Sequence, residues 1–169
     1  MARHSMLYLI AIPLVLGPLV LGLAGCGDDD SPTSPSPVTL TAEVRAALDR
    51  SIQDEYRSET IYQGVINDLG QLLPFVNVLT AEQRHSATVA EMSTRRGLTP
   101  PANASTLATV PHYSTSTEAC RAAAIAERAN VAMYDELLRL DLPSDVRLGF
   151  TNIRAASLLN HLPAFERCS

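Results

Sequence analysis

Apolar residues recur at helical spacing in four separate stretches of this chain. Over 42 to about 69, Val44, Leu48, Ile52, Tyr62, Ile66 and Leu69 fall on one face, and Thr41 stands where a side-chain cap would open the helix. A turn over 70–74 leads to a second helix, 75–96, ended by Gly97. Residues 98–117 contain Pro100, Pro101, Pro111 and many threonines, with no helical period. Thr115 with Glu118 three residues later is a capping-box pattern that opens a third helix, running to Leu140. Asp141-Leu142-Pro143 makes a tight turn, and Ser144 caps a fourth helix that runs to about Arg167. No stretch alternates with period two, so no sheet is expected.

Connection lengths predict the topology. Short turns join the first helix to the second and the third to the fourth, so each pair should be an antiparallel hairpin. The middle link of about 20 residues, at roughly 3.3 Å each when extended, is long enough to run the length of a bundle. Two antiparallel hairpins joined by one long crossover make an all-α, ferritin-like four-helix bundle.

The chain before residue 41 reads differently. Arg3 and His4 precede an apolar run over 6–24, which ends at Leu23-Ala24-Gly25-Cys26. A polar start, an apolar middle and small residues at the end predict an export signal over 1–25. The tetrapeptide looks like a bacterial lipobox, in which Cys26 is lipidated and becomes the mature N-terminus. The alternative is a retained transmembrane helix, since the apolar run comes close to the length that spans a bilayer. Residues 26–40, with Asp28-Asp29-Asp30 and alternating serine and proline, read as a solvated tether. These readings predict an exported protein, lipid-anchored to the bacterial cell envelope, with its folded domain over 41–169.

Following each apolar seam shows what interrupts it. On the first helix Glu55 and Glu59 stand among Leu48, Ile52 and Tyr62. The second gives Val78, Glu82, His85, Val89 and Met92; the third Cys120, Ala124, Glu127, Val131, Tyr134 and Leu138. The fourth gives Val146, Phe150, Ile153, Ser157, His161 and Ala164. Burying a carboxylate costs several kcal/mol unless it is paired or bound to a metal. Glu55, Glu82, His85, Glu127 and His161 are therefore the candidate ligands of one or two divalent transition metal ions. Imidazole with carboxylate suits iron or manganese, and no thiolate faces inward for a structural zinc. Glu59 reads as a rim residue, Met92 as core, and Tyr62 and Tyr134 as core aromatics. In an antiparallel register that sets Glu127 level with His161, Cys120 also lies level with Cys168. Lipidation of Cys26 leaves these two as an even pair in a compartment that permits a disulfide.

Composition removes several classes. All 13 basic residues are arginine, so Schiff-base chemistry and a phosphate-loop lysine are excluded. A formal net charge of −5 argues against nucleic acid as a partner.

Asp54-Glu55 with Ile61-Tyr62, then Phe75-Val76-Asn77 leading to Ala81-Glu82-Gln83-Arg84-His85, and Asn160-His161-Leu162-Pro163-Ala164-Phe165 are the segments that carry a family resemblance. Together with a weaker match over 127–131, they resemble the ferritin-like family catalogued as domain of unknown function 2202, across about 43–167. The resemblance implies a ferritin-like bundle and carries no activity with it. The pattern is also similar to the di-iron sites of rubrerythrin and ferritin. It departs from them at the fourth helix, where the position three before His161 is Leu158 rather than a glutamate. Three glutamates leave two divalent ions short of neutrality, so a single ion stands beside a pair as an expectation. Pro163 removes a backbone hydrogen bond to the Leu159 carbonyl and should kink the helix just past His161.

Two function classes follow, with a weaker third. The first is a redox or iron-handling protein of the cell surface, with a small oxidant such as oxygen or peroxide as partner, acting as a ferroxidase or peroxidase-like oxidoreductase. The second is a metal-free envelope structural or interaction bundle whose site has decayed. Bis-histidine haem binding through His85 and His161 is disfavoured by the three carboxylates around it.

Overall fold

The computed structural model describes residues 40–169. The export segment, Cys26 and the tether up to residue 39 lie outside the described residues. Five α-helices and one π turn follow in order: α1 Ala42–Leu69, α2 Leu73–Thr94, α3 Ser116–Leu137, α4 Ser144–Ala156, the π turn Ser157–His161, and α5 Leu162–Glu166. The last three form one continuous rod, so the molecule is a four-helix bundle of two hairpins, with no strand among the described residues. No helix among them is long and apolar enough to cross a membrane.

Local chemistry sets the helix ends. Thr41 Oγ1 accepts from the Val44 N–H at 3.1 Å and opens α1. Gly70 ends it at φ 88°, a left-handed conformation that costs glycine little. The second helix begins at Leu73, two residues earlier than the pattern predicted. Pro74 lies in its first turn, where a missing N–H and a fixed φ suit a helix start. Thr115 caps α3 through the Glu118 N–H at 3.2 Å, while the Glu118 carboxylate reaches back to the Ser114 N–H. That helix stops at Leu137 rather than Leu140. Arg147 donates to the carbonyls of Leu138 and Leu140, both at 2.7 Å, and so satisfies the chain where it leaves α3. Ser144 is not a cap, because it is already the first residue of α4 and Pro143 occupies the cap position.

Pro163 produces more than a kink. Its nitrogen cannot bond the Leu159 carbonyl, and its ring crowds that carbonyl. The chain widens into the π turn, in which the Leu162 N–H bonds the Ser157 carbonyl five residues back.

The crossover, residues 95–115, is stitched along α1. Gln53 donates to the Ala102 carbonyl and accepts from the Ala104 N–H. Asn103 donates to Thr60 at 3.2 Å, and His112 pairs with Asp68 at 2.6 Å near the far end of the helix. Buried Val110 adds an apolar anchor.

The interior is divided. One apolar cluster gathers Leu48, Ile52, Val89, Met92, Tyr134, Leu137 and Phe150. The other gathers Tyr62, Val65, Phe75, Val78, Ala123 and Phe165. Full burial of a Val, Leu or Phe side chain contributes about 1.5–3 kcal/mol, so each cluster is a substantial plug. In the second, Phe165 packs on Phe75 and Tyr62 with centroids 4.9 and 5.2 Å apart. A disulfide between Cys120 and Cys168 ties the start of α3 to the chain just past α5. Between the two plugs lies a layer of buried polar side chains.

Candidate metal centre

All five side chains that interrupt the seams meet in that layer. Glu55 comes from α1, Glu82 and His85 from α2, Glu127 from α3, and His161 from the end of the π turn. Glu55, Glu82, Glu127 and His161 are no more than 4% exposed. His85 keeps a narrow opening to solvent.

Their atoms form a run of close approaches. His85 Nδ1 lies 3.2 Å from Glu55 Oε2 and 3.2 Å from Glu82 Oε2. His161 Nδ1 lies 3.0 Å from Glu82 Oε1 and 3.4 Å from Glu127 Oε2. Glu82 is thus shared by two triads, Glu55–Glu82–His85 and Glu82–Glu127–His161; within each, one ligand atom per residue lies within 4.8 Å of the others. The two imidazoles stack with centroids 5.4 Å apart and planes 24° from parallel. Both turn Nδ1 toward carboxylates instead of facing each other across a gap, so they do not frame a haem.

Glu55 Oε2, Glu82 Oε1, Glu127 Oε2 and His161 Nδ1 are buried and make no hydrogen bond. Their short mutual distances lack hydrogen-bond direction. Orphaned polar atoms of this kind cost free energy in the native state, and a cation held by each triad would satisfy them. The donor set, carboxylate oxygen with imidazole nitrogen, is one that could hold a metal ion.

The other oxygens of the two outer carboxylates are held from the apolar plugs. Tyr62 Oη donates to Glu127 Oε1 at 2.6 Å, and Tyr134 Oη donates to Glu55 Oε1 at 2.7 Å. Asn130 Nδ2 donates to Glu55 Oε1 at 3.2 Å and to Asp54 Oδ2 at 2.8 Å, and Ser157 Oγ donates to Asn130 Oδ1 at 2.8 Å. The tyrosines are core residues as expected, and their hydroxyls also position carboxylates. Asn130 lies off the 4-3 seam, which runs from Glu127 to Val131. Asn130 and Leu137 face inward where Val131 and Leu138 were expected, a step of three instead of four. Glu59 is half-buried one turn from Glu55, with Oε1 buried and unpartnered rather than paired with an arginine.

Burial and mutual charge shift these groups strongly. Burial, against the favourable neighbour His85, pushes Glu55 up to about 7. Burial lowers His85 and His161, yet the adjacent carboxylates outweigh it and raise them to about 9 and about 10. Burial also opposes ionisation of Glu82, but contact with His161 and His85 prevails and lowers its pKa. Tyr62 and Tyr134 rise well above the ordinary phenol value, first through burial and then through the nearby carboxylates. Without a cation, these shifts favour protonated imidazoles, whose charge would offset that of the neighbouring carboxylates.

A cleft of about 310 Å³ reaches this layer between α2 and the last rod. Its lining includes Arg84, His85, Asn77, Asn160 and His161.

Solved structures share the fold, two of them as follows. A conserved hypothetical protein from Mycobacterium tuberculosis aligns with a TM-score of 0.64 at 19% identity, over 73% of this chain and 87% of its own. A hypothetical protein from Methanococcus jannaschii aligns with a TM-score of 0.66 at 17% identity, over 75% of this chain and 79% of its own. At these identities the likeness concerns the fold alone. No protein-family model matches the chain, and no curated protein matches it.

Proposed function

We propose that this chain is a lipid-anchored, ferritin-like metal-binding protein of the bacterial cell envelope, whose centre takes iron or manganese and reacts with oxygen or peroxide. The observation that carries this reading is the pair of buried triads sharing Glu82, each with ligand atoms that no protein group satisfies. Each triad could hold one ion, so the five residues could accommodate one or two. Iron or manganese follows from hard carboxylate oxygens combined with imidazole and no thiolate. Such ions supply Lewis acidity and one-electron chemistry. The chain's own groups bind and orient: Tyr62 and Tyr134 fix one oxygen of each outer carboxylate, and the cleft beside His85 and His161 admits a small oxidant. The resemblance to the family of domain of unknown function 2202 supports the bundle fold alone, and the lipobox-like tetrapeptide ending at Cys26 supports the anchor.

The second reading, a metal-free envelope bundle, is favoured by one observation. His85 and His161, raised to about 9 and about 10, serve as internal counter-ions without any metal.

Thermal melting of the full chain, stripped with chelator and then supplied with Fe(II) or Mn(II), separates the two. A ligand at 100 times its Kd stabilises by about 2.7 kcal/mol. The metal reading expects a clear rise in Tm that chelator reverses, with peroxide consumption only in the loaded protein. The metal-free reading expects no shift.

A further inference from the structure

A second opening lies on the other flank of α2, between that helix, α1 and the crossover. It is a pocket of about 330 Å³. Thr60, Gln63, Gln83, Asn103 and Ser105 line it with hydroxyls and amides, and Glu59 is its one ionisable group among the described residues. The crossover roof is tied down, because Gln53 bonds the backbone on both sides of Asn103 and Asn103 donates to Thr60 Oγ1 at 3.2 Å.

Glu59 joins this pocket to the polar layer. It follows Glu55 by one turn on the same face of α1. Its Oε1 is buried and makes no hydrogen bond, and the same holds for Glu55 Oε2. Burial raises the Glu59 pKa, the Ser86 hydroxyl opposes that, and the Glu55 charge adds to it, so both neighbours lie close. Dry carboxylate oxygens in succession cost free energy that a cation passing between them would relieve.

Charge divides the two openings. The cleft on the far flank carries Arg84, His85 and His161, which repel a cation while the imidazoles are protonated. The Glu59 pocket offers oxygen donors and one negative charge, a combination that attracts a cation and speeds its arrival. A divalent ion with about six waters, at about 30 Å³ each, fits within it.

On the reading that the centre holds divalent metal, we propose that this pocket is the port through which the ion enters, and that Glu59 is its first charged ligand and passes it to Glu55. The ion exchanges bound waters for carboxylate oxygens, and no covalent or redox step is involved. A residue on the path sets the rates of loading and release, whereas a ligand of the seated ion sets how much is held.

The test mixes chelator-stripped full chain with Co(II) in stopped flow, follows the visible absorption of bound cobalt, and then measures release into excess chelator. Glu59→Gln should load about tenfold more slowly at low salt, with wild-type cobalt content at saturation. Ser105→Trp, a neutral block in the crossover roof, should slow loading and release alike. Asn77→Trp, which narrows the other cleft, should load at the wild-type rate. Failure of Co(II) to load the wild type rejects the metal reading. Normal loading of the wild type with an unchanged rate in Glu59→Gln rejects the port alone, as does slower loading in Asn77→Trp than in Ser105→Trp. Reduced cobalt at saturation in Glu59→Gln would make Glu59 a ligand of the seated ion and overturn its place on the path. If one of the two port variants does not fold, the other decides, and a wild-type loading rate there overturns the proposal.

Discussion

Tyr134 donates its hydroxyl to Glu55 Oε1 at 2.7 Å, joining two residues 79 apart in sequence across the polar layer. Tyr62 does the same for Glu127 from the opposite plug. Each bond occupies one oxygen of a buried carboxylate and leaves the other for the interior of the cluster. A hydrogen bond to a charged group contributes about 1.5–3 kcal/mol. Tyr134→Phe and Tyr62→Phe should each lower stability by about that amount in urea denaturation at pH 8. Losses below about 0.5 kcal/mol would show that these hydroxyls do not hold the carboxylates.

Metal-free protein should lose stability as pH rises. His85 and His161 titrate at about 9 and about 10 when folded, against an ordinary 6.5. The folded state therefore holds more protons than the unfolded chain between these values, and stability falls with pH wherever that is so. The contribution is complete below pH 6.5 and lost as pH rises through the folded values. Glu55, raised from 4.5 to about 7, acts in the same direction over a lower range. Metal binding runs the other way, because the ligands must shed those protons. Urea midpoints in chelator at pH 6, 8 and 9.5 should decline, whereas Mn(II) affinity should rise between pH 6.5 and 8. A flat midpoint would remove the protonated imidazoles from the account.

The disulfide should matter to more than the chain end. Cys120 and Cys168 are separated by 48 residues, and closing a loop of that length stabilises by about 4 kcal/mol in the chain-entropy model. With Phe165, the bridge fixes the segment that follows His161. The double variant Cys120→Ser, Cys168→Ser should lose about that stability in urea and bind Mn(II) more weakly. Unchanged metal affinity would show that His161 is held by the π turn alone.

Export and anchoring are tested through Cys26. Cys26→Ser should release the protein from the membrane fraction or leave an uncleaved precursor. A variant that fractionates and migrates like wild type would remove the lipid anchor.

The five cluster residues were legible because each breaks an apolar seam, and a helical face shows such an interruption from spacing alone. The crossover and both hairpins followed from connection lengths. The partners of the carboxylates were not legible. Which hydroxyl meets Glu55 or Glu127 depends on how separate helices rotate about their axes, and no spacing within one helix carries that. Asn130 was hidden for a related reason: helical steps of three and four are equally good after Glu127, and packing decides between them. Pro163 announced a disturbance. That it would become a π turn, burying Ser157 and leaving Leu158 exposed, is not carried by spacing, because a proline can disturb a helix in more than one way.

The central claim is that Glu55, Glu82, His85, Glu127 and His161 together hold metal. Its most direct test is the metal-to-protein ratio of the full chain, purified without chelator, beside His85→Ala and Glu91→Ala. Glu91 lies exposed on the opposite face of α2, where its ion pair with Arg95 contributes little. Wild type and Glu91→Ala should carry iron or manganese in equal amounts, and His85→Ala should lose most of it. Equal metal in all three proteins, or none in any, would contradict the account.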